Sequence, residues 1–253
     1  MLTFNEGQVL AWIAPLLWPF LRALAMLQAL PVLGTRSVPM QVRIGLAGFI
    51  ALAAQASLPV APVVALDSPA ALMMVAQQAV IGLSLGFAVR LVFTAVEFAG
   101  ELIGLQMGLN FAGFFDPLSA SNATATSRFF GTMVAWLFMV MGGHLLVIAA
   151  LVQSFQSFPA SPEPFAFLAQ MQPQRWGAEI FSTGLWIALP LVTMLLFVNL
   201  VLGTISRVAP QINIFAVGFP VTLGVGLLGL LLTLPMMQQP FTMALERLLE
   251  HFR

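Results

Sequence analysis

Long apolar runs separated by short polar breaks cover most of the chain. Six runs stand out: Gln8–Leu33, Ile44–Leu66, Ala70–Val89, Phe129–Val152, Ile180–Ser206 and Val208–Leu245. About twenty apolar residues cross a bilayer as a helix, so each run is long enough to be a membrane segment. Gly142, Gly143 and His144 interrupt the fourth run, and the last run is too long for one simple span. The pattern predicts an all-α membrane protein.

Prolines fall inside or beside these runs, and the first run also contains Arg22. The prolines are Pro15, Pro19, Pro190, Pro210, Pro220 and Pro235. A proline removes one backbone hydrogen bond of a helix, and membranes tolerate this only where neighbouring groups satisfy the freed carbonyl. We therefore expect kinked helices and helical hairpins, some of which stop short of crossing. Ordinary kinked spans are the alternative interpretation.

Composition supports the membrane class and excludes several kinds of function. Hydrophobic residues make up 60% of 253 and charged residues 7%, and the mean hydropathy is +1.00, whereas soluble domains are about half apolar and about a quarter charged. The chain has no cysteine and a net charge of zero, which argues against thiol chemistry and nucleic-acid binding. No metalloprotease or phosphate-binding motif occurs, so we expect no enzyme activity, cofactor or metal.

The arginines predict an orientation. Alternating spans place Arg36, Arg43, Arg90, Arg128 and Arg207 on one side, and Arg175, Arg247 and Arg253 on the other. Positive residues favour the cytoplasm, so we expect the N-terminus outside, and no cleaved signal peptide because the first twenty residues lack a basic region. The proline-bearing stretch from Ser154 to Glu179 then lies outside and is expected to be mostly solvated.

The segment from Gly100 to Arg128 suits lipid least. A helix over Glu97–Phe111 would carry four polar side chains, namely Glu97, Glu101, Gln106 and Asn110. Two carboxylates cost about 5–7 kcal/mol in the bilayer centre, whereas seven apolar residues return about 2–4 kcal/mol. The helix must therefore be buried in protein, line a polar cavity or lie outside the hydrocarbon.

Glycines and acids share faces of this predicted helix. Gly100, Gly104 and Gly108 are four residues apart, and small residues let helix backbones approach closely. Glu97 and Glu101 could form a cation site, but pairing with Arg90 or with partner groups is the favoured interpretation. His144, the one interior histidine, is expected to be a hydrogen-bonded residue rather than a ligand or proton relay.

The residues after this helix allow two interpretations. Phe114, Phe115, Asp116 and Pro117 should end the helix, because proline disfavours helical backbone at the residue before it. The following polar residues could form a loop in or over a pore, with Phe111, Phe114 and Phe115 as an apolar seal. Alternatively, they form an ordinary cytoplasmic turn with a helix N-cap at Thr126 or Ser127. The residues alone leave both open.

Several blocks of sequence resemble the FliR family of flagellar biosynthetic membrane proteins, to which virulence type III secretion proteins are closely related. The blocks are Trp18–Ala47, Gly100–Pro117, Gly142–Pro159 and Arg207–Pro235. They follow in order over nearly the whole chain. One departure is Gly143, where the family pattern leads us to expect asparagine.

The resemblance implies an export-gate subunit made of one domain, residues 1–253. Residues 1–175 would be FliP-like and residues 176–253 a FliQ-like hairpin, within a cone-shaped helical assembly. The implied partners are several copies of FliP and FliQ, FlhB, other export proteins such as FlhA, unfolded flagellar substrates and membrane lipid. The implied location is the bacterial inner membrane at the flagellar basal body, with room for part of the assembly above the bilayer on the periplasmic side.

The resemblance also assigns residues. The pore plug of the family maps to Phe111–Ser127, which includes Phe111, Phe114, Phe115, Asp116 and Pro117. The cytoplasmic loop of the hairpin maps to Arg207, Pro210 and Gln211. The alternative function is a small-solute or ion transporter, motivated by the two acids and the broken helices. Such a transporter commonly contains inverted repeats, and the glycine pattern has no counterpart after Gly177.

Overall fold

The protein is seen in a computed structural model that describes residues 6–58, 62, 64–65, 67–109, 124–172, 176–211 and 213–252. Every regular element in these ranges is a helix. The helices are α1 Glu6–Ala29, α2 Met40–Ala54, α3 Pro69–Gln106, α4 Ala125–Val140, α5 Gly143–Ser157, α6 Ala166–Met171, α7 Trp176–Val208, α8 Ile214–Thr233 and α9 Gln238–Glu250, with short 3-10 turns at Gln55–Ser57 and Leu234–Met237. The predicted all-α class is confirmed.

Three helical stretches of the described chain are long and apolar enough to cross a membrane. They are Pro69–Gln106, Trp176–Val208 and Ala216–Glu250, and α4 with α5 adds a fourth if that pair counts as one bent span. The second apolar run does not qualify, because its helix α2 has only 15 residues. At about 1.5 Å per residue it is roughly 22 Å long, short of the roughly 30 Å hydrocarbon. The expectation that every run can span is therefore wrong for this run.

Helix α3 is longer than its apolar run predicted. It continues through Arg90, which we expected to follow the run, and includes Glu97 and Glu101. Its 38 residues correspond to about 57 Å at about 1.5 Å per residue. A bilayer core of about 30 Å cannot enclose such a helix. The uncharged stretch 69–89 is the part that matches the hydrocarbon thickness, since Arg90 lies about 31 Å from the start.

The predicted interruption of the fourth run is confirmed, and glycine causes it. Helices α4 and α5 meet at 68°, and Gly142 has a φ of +70°, a backbone conformation that other residues rarely adopt. His144 follows in the first turn of α5. Nδ1 of His144 is buried and has no hydrogen-bond partner in the described chain, so the expectation of a fully hydrogen-bonded histidine is wrong.

The chain divides into two compact units. The first contains Met1–Leu91, Met141–Trp176 and Leu245–Arg253. Within it, α1 and α3 pack at backbone distance, because a Cβ added at Gly82 would lie 2.2 Å from the Arg22 carbonyl oxygen, and one at Gly86 would lie 2.6 Å from the Met26 carbonyl oxygen. Trp18, Met74 and Phe155 form a buried cluster beside this contact.

The stretch from Ser154 to Glu179 is less solvated than predicted. Its ends belong to α5 and α7, and α6 lies between them. Five large side chains in it are buried, namely Phe155, Phe158, Phe167, Met171 and Trp176. Aromatic residues spaced irregularly among prolines gave no periodic signal, so the sequence did not reveal this core.

The second unit contains Val92–Val140 and Gly177–Ala244. Its core includes the ring of Phe93, which makes edge contacts with Phe138 at 5.5 Å and with Phe241 at 6.1 Å between ring centroids. These rings join α3, α4 and α9 within this unit. Each aromatic pair of this geometry adds about 0.5–1.5 kcal/mol beyond the burial of its surface.

Candidate functional site

The polar end of α3 and the helices that surround it in the second unit form the candidate site. Helix α3 ends at Gln106, and Gly108 follows with a φ of +78°. A left-handed glycine just after the last turn is a common helix stop. The expectation that the helix extends to Phe111 and ends at Phe114–Pro117 is therefore wrong at its end. Gly108 terminates the helix rather than extending the glycine face.

Gly100 and Gly131 let α3 and α4 approach closely. A Cβ at Gly100 would lie 2.7 Å from Cδ2 of Phe130, which is fully buried. On the opposite helix, a Cβ at Gly131 would lie 2.8 Å from Oε1 of Glu97. Each glycine thus receives a large side chain of the other helix. The half-buried Glu97 carboxylate therefore lies against a helix backbone of its own chain.

The other polar and glycine residues of α3 lie nearby. Gly104 is buried and Glu101 is half-buried. Nδ2 of Asn199 in α7 lies 3.5 Å from Oε1 of Gln106, at the long limit of a hydrogen bond. The sequence reasoning missed Asn199, and its amide within the uncharged fifth run was the signal that could have identified it.

Asn110 and the predicted plug residues follow α3 in the sequence. Asn110, Phe111, Phe114, Phe115, Asp116 and Pro117 lie outside the described residues. On the far side of this segment, α4 begins with the Oγ1 of Thr124 accepting a hydrogen bond of 3.1 Å from the backbone N–H of Ser127. This contact is an N-cap. The predicted cap at Thr126 or Ser127 is thus two to three residues too late.

Helices α7 and α8 form an antiparallel hairpin. A Cβ at Gly218 would lie 3.6 Å from Cδ1 of Leu202, and one at Gly229 would lie 2.2 Å from Cδ1 of Leu191. Moving from 218 to 229 on α8 matches moving from 202 to 191 on α7, which is the register of two antiparallel helices.

The hairpin turn contains the predicted loop residues. Arg207 lies in the last turn of α7 and is exposed, and Pro210 and Gln211 follow in the connection to α8. A basic side chain at a helix C-terminus interacts favourably with the helix dipole. Asn213 precedes α8, and its Oδ1 lies 3.4 Å from the Ala216 backbone nitrogen. Interactions at the end of α7 and at the start of α8 therefore stabilise the turn.

The described residues of the site pack helices together. No group of three or more His, Cys, Asp or Glu residues able to hold a metal ion occurs among the residues that the structure describes. What these residues do is bring helix backbones together and place polar side chains between them.

Comparison with known proteins assigns the family. A family model described as bacterial export proteins, family 1, matches residues 13–248. The chain belongs to this export family. Flagellar biosynthetic protein FliR of Pectobacterium carotovorum subsp. carotovorum is 43% identical over 93% of this chain and 90% of the relative. FliR of Escherichia coli (strain K12) is 44% identical over 90% and 87%, and FliR of Buchnera aphidicola subsp. Acyrthosiphon pisum is 33% identical over 94% and 92%.

Family membership confirms the FliR resemblance drawn from the sequence. With the apolar helices described above, it makes the chain a membrane protein of the flagellar export family. Membership in this family implies association with other components of the flagellar export apparatus. The relatives are flagellar export proteins rather than known enzymes.

Proposed function

We propose that the chain is a core subunit of the flagellar type III export gate and forms, with FliP and FliQ, the closed pore through which unfolded flagellar proteins are secreted. The observation that carries this proposal is the bare apolar surface of the α7–α8 hairpin. In Trp176–Val208 22% of an apolar stretch of 18 residues is buried, and in Ala216–Glu250, which continues α8 into α9, 28%, against 61% in Pro69–Gln106.

The length of this surface exceeds what lipid can cover. Large apolar side chains are exposed along α7 from Phe181 to Val208, a distance of about 40 Å at about 1.5 Å per residue. A hydrocarbon core of about 30 Å would enclose all of it only at a tilt near 40°, which is the upper end of observed tilts around a mean of about 20°. Partner helices therefore cover at least one end of this apolar surface better than lipid does.

The partners in the proposal are FliP-like and FliQ-like chains around this subunit, with FlhB and FlhA as further neighbours in the inner membrane. The hairpin that begins at Trp176 supports a division into a FliP-like part, 1–175, and a FliQ-like part, 176–253. The turn of the hairpin, with Arg207, Pro210 and Gln211, is proposed to face the cytoplasm. Helices longer than the hydrocarbon support an assembly that extends beyond the bilayer, and the proposal places this extension on the periplasmic side.

Co-purification tests the proposal. The tagged chain is extracted in mild detergent from a flagellated bacterium that makes the other export proteins, and its partners are identified by mass spectrometry. We expect FliP-like and FliQ-like chains in excess over the tagged chain. A stable monomer in cells that express those partners would contradict the proposal. Solute flux through liposomes that contain the isolated chain would instead support the transporter alternative, which family membership disfavours.

The plug is tested separately. We propose that Phe111, Phe114 and Phe115 seal the pore and that Asp116 and Pro117 shape the same segment. Replacing both Phe114 and Phe115 with alanine should raise the ion conductance of membranes that contain the assembled gate. Phe165→Ala, at an exposed phenylalanine before α6, is the matched control and should not. Equal conductance with the unmodified chain, the double alanine variant and the Phe165→Ala control would refute the plug assignment while leaving the gate proposal intact.

A further inference from the structure

Arg22 lies in the middle of α1 and is completely buried, with 0% of its surface exposed. Its guanidinium makes three separate hydrogen bonds. Nε donates to Oε1 of Gln78 at 2.7 Å, Nη1 donates to Oγ of Ser154 at 2.9 Å, and Nη2 donates to the carbonyl oxygen of Phe158 at 2.9 Å. Arg22 thus joins α1, α3 and α5 and reaches the residue at which α5 ends.

A second tier of hydrogen bonds continues from Gln78. Its Nε2 donates to Oε1 of Gln77 at 2.9 Å. Gln77 in turn donates to the Pro159 carbonyl at 3.2 Å and to Oγ of Ser161 at 2.9 Å, and accepts from the Ser161 backbone N–H at 2.9 Å. The segment 158–161 is therefore held at three residues by side chains of α1 and α3.

The partners of Arg22 select arginine over other residues. They are an amide, a hydroxyl and a backbone carbonyl, with the ring of Phe155 centred 3.6 Å from the guanidinium carbon. None of these groups is a carboxylate, so directional hydrogen bonds and the aromatic face must offset the cost of burying the charge. A planar guanidinium can donate in three directions at once, whereas the ammonium of lysine is a point charge that cannot match this fork.

Phe158 connects this network to the end of the chain. Its carbonyl oxygen accepts from Arg22, while its ring lies 4.9 Å from that of Phe167. The Phe167 ring is 6.0 Å from that of Phe252, and Trp176 is 5.8 Å from Phe252, all between ring centroids. Phe252 is fully buried. Phe252 therefore packs on Phe167, which itself packs on Phe158.

We propose that Arg22 is a positioning residue that clasps the segment 158–161 to α1 and α3, and that by placing Phe158 it couples the seating of Phe252 to the first helix. Helix α1 and the residues around Phe252 then stabilise this unit together. A chain that lacks its last residues would leave the aromatic rings uncovered and the segment 158–161 loosened. The proposal concerns folding of this unit and does not depend on the proposed export function.

The absence of cysteine from the sequence allows a single-cysteine test in the full-length chain. Ala160→Cys places a thiol at a partly buried position that packs against the buried cluster of Trp18, Met74 and Phe155, so that labelling is slowed while the segment is held in place. Labelling by a maleimide reports how often the segment opens. With Arg22→Lys we expect labelling about ten-fold faster or more, which corresponds to about 1.4 kcal/mol or more. Arg22→Met should give a similar increase.

Arg43 supplies the matched control. It is an arginine of the same unit whose guanidinium donates to Gln28 Oε1 at 2.7 Å and to the carbonyls of Thr35 and Val38. Arg43→Lys should leave labelling at Cys-substituted Ala160 unchanged. If Arg22→Lys prevents accumulation in the membrane, Gln77→Ala decides the question, because it removes the second tier without touching the buried charge. An unchanged labelling rate with Gln77→Ala overturns the clasp. A labelling rate with Arg22→Lys equal to that of the chain with Arg22 also overturns it.

Coupling to the C-terminus is measured with the same thiol. Phe252→Ala should accelerate labelling at position 160, and Glu250→Ala, at an exposed position two residues earlier, should not. Combined with Arg22→Met, Phe252→Ala should add little, because the first change has already released the segment. If the labelling rate of the double variant rises by the product of the increases seen with Arg22→Met and with Phe252→Ala, the two sites are independent. That result would overturn the coupling.

Discussion

Replacing Gly100 with alanine tests the contact between α3 and α4. The new Cβ would lie 2.7, 2.9 and 3.0 Å from three atoms of Phe130, whereas carbon atoms pack best at about 3.5–4.0 Å. The ring is fully buried, and the neighbouring Gly131 already has Oε1 of Glu97 at 2.8 Å from its Cβ position. The ring must therefore move by close to 1 Å, or the two helices must separate.

The change in the free energy of unfolding caused by Gly100→Ala follows from two opposing effects. Overpacking of this kind costs about 1–3 kcal/mol, while alanine in place of glycine favours a helix by about 0.5–1 kcal/mol. Gly203→Ala has only the second effect, because no described atom outside its own stretch of helix backbone lies within 4 Å of its Cβ position. The difference between the two variants isolates the overpacking, about 1–3 kcal/mol, or roughly 2–12 °C in melting temperature for a chain of this size.

The assay is thermal unfolding of the detergent-purified chain, followed by the loss of its monodisperse peak on size exclusion. We expect Gly100→Ala to melt below Gly203→Ala by the stated interval. In a Phe130→Leu background, which removes the ring edge, Gly100→Ala should cost less than half as much. Equal melting temperatures for the two alanine variants, or an undiminished cost in that background, would refute the close packing of Gly100.

Three further outcomes are expected. Thr124→Ala should lower stability by about 1 kcal/mol in the same melting assay, because the N-cap of α4 is lost. Gly142→Ala should destabilise by about 1 kcal/mol, since φ is +70° there, whereas Gly203→Ala should not. Leu200→Arg, on the exposed face of α7, should cost about 3 kcal/mol in an apolar environment and reduce co-purification of partners, while Gln239→Arg should leave partner yield unchanged.

Helices were more predictable than their ends. The apolar runs correctly indicated helices around α3, α7 and α8, and Gly142 and Gly143 marked the bend before α5. The sequence placed the end of α3 too late, because apolar residues continue to Phe115 while the backbone turns at Gly108. It also placed a break at Arg90, where the helix continues. A single charge is tolerated in a helix once protein or water surrounds it, and the one-dimensional pattern does not contain that information.

Burial of polar groups was the least predictable feature. Arg22 looked like an isolated charge in an apolar run, and its partners lie 56, 132 and 136 residues away in the sequence. The pairing of Glu97 with Arg90 or with partner groups stays a prediction, and the structure adds that its carboxylate lies against Gly131 of the next helix. Such pairs depend on which helices are neighbours, so local patterns cannot predict them.

The sequence by itself determined the class and the family of this protein. Membrane partition is a sum of transfer free energies over residues, so 60% hydrophobic and 7% charged residues decide it without any knowledge of contacts, and four ordered sequence blocks pointed to the export family. The tertiary structure decided which polar groups meet, where α3 stops and which glycines receive a side chain. These depend on the approach of helices distant in sequence, since a buried charge or a backbone contact is stable only when its partner arrives at hydrogen-bond or van der Waals distance.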